Sequence, residues 1–172
     1  MTKRDIIIIP NQQLREVCKP IASVDASIRS LADDMLETMY EAPGIGLAAS
    51  QIGVLKRIFV LDVAQDEDAN DPMVFINPVI TWRSDELSVY QEGCLSIPEF
   101  FEDVERPKAV NVEFTDQHGA AQKLEADGLL ATCIQHELDH LDGKLFIDYL
   151  SKLKRDRVMK KFMKQAKMAG TV

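Results

Sequence analysis

The stretch that organises the chain is Asp127-Gly-Leu-Leu-Ala-Thr-Cys-Ile-Gln-His-Glu-Leu-Asp-His-Leu-Asp-Gly143. Asp127 is a candidate N-cap and Gly143 a candidate terminator, so the stretch predicts a helix over about 128–141. His136 and His140 are four residues apart, and both imidazoles therefore project from one face of that helix. Two nitrogens placed in this way can bind a single divalent ion.

Glu137 follows the first of these histidines and lies close enough to reach water activated at such a site. A divalent ion lowers the pKa of water towards about 7, and a neighbouring carboxylate can take and return the remaining proton. The alternative is a solvated helix that carries two histidines by chance. That alternative is weakened because the chain has only three histidines and two of them fall in this pattern. The spacing therefore predicts a metal site.

A catalytic metal site needs a third protein ligand and one open position. The candidates are Cys94, Cys133, Cys18 and a carboxylate. Cys133 is three residues before His136 and is expected to pack as a small apolar residue, whereas Cys18 lies in a polar stretch without an evident partner. Cys94 is flanked by a glycine that permits a tight backbone. On its own it could be a free structural thiol, but the histidine pair makes it the best third ligand.

The remaining patterns predict short strands with helices at the ends, which is an α+β fold with mostly antiparallel sheets. Apolar residues recur at helical spacing near the N-terminus, and apolar and polar residues alternate in several later segments. An acidic loop is predicted over 65–71. The predicted elements are an N-terminal helix over 26–41, strands over 57–62, 73–82 and 86–91, a hairpin of 110–114 with 121–126, the central metal-binding helix, and a C-terminal helix over 151–167.

Length and composition indicate one globular domain. The chain has 172 residues and a net charge of −8, which argues against general binding to nucleic acid. Three cysteines do not form a closed disulfide framework, and the four apolar residues 6–9 are too few for a signal peptide. No later run is long enough to span a membrane. We expect a cytoplasmic protein with reduced thiols and no membrane contact, and we also expect a monomer.

A second glycine-containing segment, Gly44-Ile-Gly-Leu-Ala-Ala-Ser-Gln51, formally fits a dinucleotide-binding fingerprint. That interpretation fails on context, because the fingerprint needs a strand before the glycines and a helix after them. Here a predicted helix precedes the segment and a predicted strand follows it. The segment can instead bring backbone groups and the Gln51 amide against a substrate.

Three separated motifs together resemble those of bacterial peptide deformylases, in that family's order. They are Gly44-Ile-Gly-Leu-Ala-Ala-Ser-Gln51, Glu92-Gly-Cys-Leu-Ser96 and Gln135-His-Glu-Leu-Asp-His140. The similarity runs nearly end to end, so residues 1–172 are predicted to form one catalytic domain of this type. The resemblance implies an enzyme that removes the formyl group from the N-terminal methionine of nascent proteins and releases formate.

The resemblance also implies a role for each matching residue. Cys94, His136 and His140 would bind one divalent ion, which is Fe(II) in the family, although Zn, Ni or Co can replace it. Glu137 would be the catalytic acid and base. The Gln51 amide and the Leu95 backbone N–H would form the oxyanion hole, and Gly46 would bind the peptide backbone. For the methionine side chain, Ile45, Leu129 and Cys133 are candidate lining, with plain core packing as the alternative.

The C-terminal helix is strongly basic. Between Lys152 and Lys167 there are eight Lys or Arg and one Asp, a local charge of +7, which leaves −15 for the rest of the chain. A solvated helix face is the simplest explanation. The functional hypothesis is attraction to ribosomal RNA, because in this family the C-terminal helix of some members docks beside the exit tunnel.

Two other functions compete with deformylation. A zinc peptidase also uses the His-Glu-x-x-His pattern, but such enzymes commonly take a downstream third ligand, whereas the best candidate here is the upstream Cys94. A non-catalytic structural metal domain would use four protein ligands, and the sequence offers three good ones.

Overall fold

The computed structural model describes residues 2–64 and 69–170, and within them the three predicted helices are all present. Helix α1 spans Ala26–Glu41, α2 spans Gly128–Leu141 and α3 spans Lys152–Met168. Asp25 caps α1 by accepting from the Ile28 N–H, and Ser151 caps α3 in the same way. Asp127 occupies the predicted N-cap position of α2, although its side chain accepts no capping bond there. The periodic patterns therefore located each helix within one or two residues.

The seven strands of the described residues form two antiparallel sheets. A five-stranded sheet has the order β1-β2-β3-β6-β7, and a two-stranded sheet pairs β4 with β5. This confirms the predicted α+β class with mostly antiparallel sheets. The strands are β1 (Gly46–Ala48), β2 (Ile58–Leu61), β3 (Met73–Arg83), β4 (Leu87–Cys94), β5 (Ile97–Pro107), β6 (Ala109–Thr115) and β7 (Ala121–Asp127).

Two strands were not predicted, and each has a physical reason. β5 carries four acidic residues and lies in a largely exposed hairpin, so its apolar alternation is weak. β1 has only three residues and comes from the glycine segment, where pairing with β2 makes a short edge strand. The acidic loop was predicted over 65–71, and residues 65–68 of it lie outside the described part of the chain.

The five-stranded sheet is covered by one helix on each face. Residues of β2 alternate: Ile58 and Val60 pack with α1, whereas Phe59 and Leu61 pack with α2. A third cluster joins β5, the turn over 145–149 and α3. Helix α2 also contacts both strands of the β4–β5 hairpin. The ligand helix therefore lies between the two sheets, at the centre of the domain.

The end of α2 is closed by the predicted glycine. Gly143 has φ of +75°, in the left-handed region that favours glycine. A Cβ at this position would lie 2.4 Å from the Arg15 carbonyl oxygen, so the chain can pass here only without a side chain. The glycine lets the chain turn directly after the ligand helix.

No helix among residues 2–64 and 69–170 combines the length and the apolar character that crossing a membrane requires.

Candidate active site

The three predicted ligands meet in space. Cys94 is the last residue of β4, and His136 and His140 project from α2 towards it. Their ligand atoms all lie within 4.8 Å of one another, and Cys94 Sγ is 3.3 Å from His140 Nε2. One partly exposed thiol and two buried imidazoles are a donor set that suits Zn, Fe, Co or Ni. The group fits a single divalent ion.

The two histidines are held differently. His136 Nδ1 lies 2.9 Å from Glu92 Oε1, which leaves Nε2 facing the ligand group. Its ring also stacks on Phe146, with centroids 5.9 Å apart. His140 Nδ1 is buried and has no hydrogen-bond partner among the described residues. Burial, and then the charge that His136 can carry, hold the pKa of His140 well below its usual value, so this imidazole stays in the neutral form that binds metal.

Behind His136 lies a buried polar network whose role was not predicted. The Arg106 guanidinium binds Glu92 through Nε at 2.7 Å and Nη2 at 3.0 Å, and its Nη1 binds Asp139 at 2.9 Å. Burial raises the pKa of Glu92, but its hydrogen bonds with His136 and Arg106 outweigh burial and lower it below the ordinary value. Glu92 is therefore a charged carboxylate that fixes the orientation of His136.

Glu137 is 4% exposed and lies against the backbone of Gly46. A Cβ on Gly46 would be 2.5 Å from Glu137 Oε1, so only glycine allows this approach. Glu137 Oε2 is buried and has no hydrogen-bond partner among the residues that the structure describes. Burial raises the pKa of Glu137 to about 7, partly offset by the charge of His136. The carboxyl group can thus exchange a proton near neutral pH.

Gln51 is anchored at both ends of its amide. Its Oε1 accepts from the Ala48 N–H at 3.0 Å, and its Nε2 donates to Ser96 Oγ at 3.1 Å. The same Nε2 lies 3.5 Å from Cys94 Sγ, which places a donor beside the ligand group. Leu95 is the first residue of the tight turn between β4 and β5, and its side chain packs on Gly44.

A cleft of about 830 Å³ opens in front of these residues. Ile45 stands at its mouth with 48% of its surface exposed, whereas Cys133 is buried in its wall. Burial, and then the charge of Glu137, raise the pKa of Cys133 to about 12, so its thiol is a neutral apolar surface. The predicted residues that line the cleft are Ile45, Gly46, Gln51, Cys94, Leu95, Leu129, Cys133, His136 and Glu137, with His140 buried just behind them.

The structure therefore brings together every residue that the sequence singled out for the site. Sequence reasoning missed the contacts that Ser96 makes with Gln51 and that Arg106 makes with Glu92 and Asp139. Glu92 precedes Cys94 by two residues in β4, but the strand predicted over 86–91 ended before both, so the contact of Glu92 with His136 was not predicted. The other partners become neighbours only through the packing of the hairpin on α2.

Comparison with known proteins agrees with this geometry. Residues 3–156 match the family model described as polypeptide deformylase. The chain is 59% identical over 170 residues to peptide deformylase of Rhizobium meliloti (strain 1021), covering 99% of this chain and 98% of that one. It is 61% identical over 173 residues to peptide deformylase of Bradyrhizobium diazoefficiens, covering 98% and 99%.

Solved structures agree as well. A crystal structure of peptide deformylase from Ehrlichia chaffeensis in complex with actinonin has a TM-score of 0.91 and 41% identity, covering 96% of this chain and 98% of that one. A peptide deformylase from Synechococcus elongatus, also in complex with actinonin, has a TM-score of 0.87 and 44% identity, covering 94% and 88%.

The fold and the site together define a metal-dependent hydrolase of the α+β class. More narrowly, the chain belongs to the peptide deformylase family, whose function is removal of the formyl group from nascent peptides.

Proposed function

We propose that Cys94, His136 and His140 hold one divalent ion and that Glu137 is the acid and base of formyl-methionine hydrolysis. The observation that carries this proposal is that three candidate ligand atoms lie within 4.8 Å of one another. Beside them is a buried carboxylate oxygen of Glu137 that has no hydrogen-bond partner among residues 2–64 and 69–170. The ion, when bound, supplies Lewis acidity that activates water and polarises the formyl carbonyl.

The protein residues supply the other parts of the reaction. Glu137 takes a proton from the attacking water and passes it to the departing amine nitrogen, so formate and a free N-terminus result. The Gln51 amide and the Leu95 backbone N–H stabilise the oxyanion that develops on the formyl oxygen. Because Gln51 is held at Oε1 and Nε2, its donor needs no rearrangement during the reaction.

The peptide would bind along the cleft. Gly46 offers its backbone to the peptide backbone, at a position where any side chain would strike Glu137. Ile45, Leu129 and Cys133 provide an apolar wall for the methionine side chain. The neutral thiol of Cys133 supports this proposal, since a charged group there would disfavour a thioether.

The test of the acid–base role is formate release from formyl-Met-Ala-Ser by the Glu137→Gln variant. We expect a fall of about 10²–10⁴ in turnover with unchanged metal content. Glu105→Gln is a matched control, because Glu105 is an exposed glutamate on β5. Full activity of folded, metal-loaded Glu137→Gln protein would show that another group carries the proton.

We propose Fe(II) as the resident ion, with Zn, Ni or Co able to replace it. Divalent affinities rise from iron through cobalt to nickel, so a purified sample can exchange its iron unless oxygen and competing metals are excluded. Anaerobic purification should yield about one iron per chain and an activity that air destroys. If an anaerobic sample contained only zinc and had full activity, the proposal that iron is the resident ion would be wrong.

We further propose that the protein is a cytoplasmic monomer and that residues 1–172 form one catalytic domain. We also propose that its basic helix α3 contacts the ribosome. Eight cations on one helix would attract ribosomal RNA, and this attraction should weaken steeply with salt. Light scattering after gel filtration tests the monomer: a mass near 19.3 kDa is expected, and a dimer mass would contradict it.

Charge reversal tests the ribosome contact. Lys160→Glu with Lys164→Glu should reduce co-sedimentation with ribosomes, because both side chains are exposed on α3. Lys123→Glu with Lys144→Glu makes the same change in net charge outside α3 and should have little effect. If both double variants lost ribosome co-sedimentation equally, binding would depend on the overall charge of the protein and not on helix α3.

A further inference from the structure

Tyr149 ends the turn that precedes α3, and its hydroxyl reaches the back of the ligand helix. Tyr149 Oη donates to Asp139 Oδ2 at 2.8 Å, and the same oxygen accepts from Arg106 Nη1 at 2.9 Å. The Arg106 guanidinium carbon lies 4.7 Å from the centre of the Tyr149 ring. One aromatic residue therefore touches both members of a partly buried ion pair.

This pair is connected to a proposed metal ligand. On its other edge the Arg106 guanidinium binds both oxygens of Glu92, and Glu92 Oε1 is also the partner of His136 Nδ1. The side chains of Arg106 and Glu92 are each 5% exposed. A continuous series of contacts thus runs from Tyr149, through Asp139, Arg106 and Glu92, to His136.

We propose that Tyr149 and Asp139 are positioning residues that set how tightly the site holds its metal. The proposal rests on the ligand set given above. A guanidinium is planar, and here its two edges are fixed by Glu92 and Asp139 while one face is covered by Tyr149. Loss of either outer partner would let Arg106 tilt, and Glu92 would then hold His136 less firmly.

Replacing Tyr149 or Asp139 should change the affinity for metal, because the series of contacts ends at His136, a proposed metal ligand. Glu92 accepts the Nδ1 hydrogen of His136 and so keeps the Nε2 lone pair directed at the ligand group. When that hydrogen bond weakens, the imidazole must be ordered again each time an ion binds. Changes in such outer partners typically cost about 10–100-fold in metal affinity. The Tyr149 hydroxyl is four contacts away from His136, so its effect should be smaller.

The test compares the Co²⁺ affinity of metal-stripped Tyr149→Phe and Asp139→Asn with that of the parent chain, by chelator competition without oxygen. Tyr149→Phe keeps the ring over Arg106 and removes only the hydroxyl; we expect its dissociation constant to rise about threefold. Asp139→Asn removes the charge that holds Arg106, and about a tenfold rise is expected. The visible absorption of bound Co²⁺ should shift in the same order, because it reports ligand geometry.

Tyr40→Phe is the matched control. Its hydroxyl also donates to a carboxylate, Asp62 Oδ2, at 2.6 Å, but this pair lies outside the series that reaches His136. Its Co²⁺ affinity should equal that of the parent. Thermal unfolding of the metal-free proteins separates general destabilisation, which both tyrosine variants can show, from a change in affinity, which only Tyr149→Phe should show.

A Cys94→Ala variant separates an error in the positioning proposal from an error in the proposed metal ligands. If Cys94→Ala binds Co²⁺ as tightly as the parent, the proposed ligands are wrong. If Cys94→Ala loses the ion but either Tyr149→Phe or Asp139→Asn keeps the parent affinity and spectrum, that residue has no positioning role and the proposal is overturned for it.

Discussion

Helices α2 and α3 have 14 and 17 residues, yet their side chains meet opposite environments. Ten residues of α2 are buried, including polar ones such as Gln135, whose amide donates to the Pro107 carbonyl at 2.9 Å. Helix α3 buries only Val158, Phe162 and Ala166, and all but one of its eight cations are exposed. Replacing a single polar residue of α2 should therefore change metal binding, turnover or stability. In α3 a single replacement should change these little, and any effect should depend on the total charge of the helix.

The largest expected effect is loss of a ligand from α2. His140→Ala should remove the bound metal and lower formate release by about 10³-fold or more, since an ion supplies several kcal/mol to such a transition state. The matched control is His118→Ala, because His118 is exposed in the β6–β7 turn. Metal content and turnover are measured together. If His140→Ala kept one tightly bound ion, this residue of α2 would be as replaceable as an exposed residue of α3.

The next largest effect is expected in stability, where a core residue of α2 should contribute more than a core residue of α3. Ile134 in α2 is 0% exposed, and Ile134→Ala should lower the free energy of unfolding by about 2–5 kcal/mol through lost burial and a cavity. Val158→Ala in α3 deletes two carbons from a less enclosed position, so about 1–2 kcal/mol is expected. Urea unfolding of both variants gives the comparison. Equal losses would mean that α3 is as integral to the core as α2.

The smallest effect should come from the exposed face of α3. Lys160→Ala with Lys164→Ala should change the free energy of unfolding by no more than about 0.5 kcal/mol per site and leave turnover on a short formylated peptide unchanged. Urea unfolding and formate release measure the two quantities. A clear loss of turnover would show that the exposed face of α3 contributes to the chemistry, as α2 is expected to do.

The sequence predicted the three helices well, because helical spacing lies within one segment. It also predicted that Cys94, His136 and His140 would lie together, and the structure places their side chains close to one another. The separation of His136 and His140 predicted two candidate ligands on one helix face, and comparison of the three cysteines selected Cys94 as the third. The role of Gln51 was an implication of the family resemblance. The supporting network escaped prediction since it depends on contacts between distant segments. Arg106 and Tyr149 are 43 positions apart in the chain and meet only because β5 and the turn before α3 pack against the same end of α2.

The place of α2 between two sheets gives the proposed ion a mechanical role. Cys94 belongs to the two-stranded sheet, and His136 belongs to the helix that covers the five-stranded one. An ion bound to both would act as a cross-link that closes a loop of about 40 residues and restricts the unfolded chain much as a disulfide does. Removing it should loosen the hairpin from the helix before the rest of the domain unfolds, so amide hydrogens of β4 should exchange first.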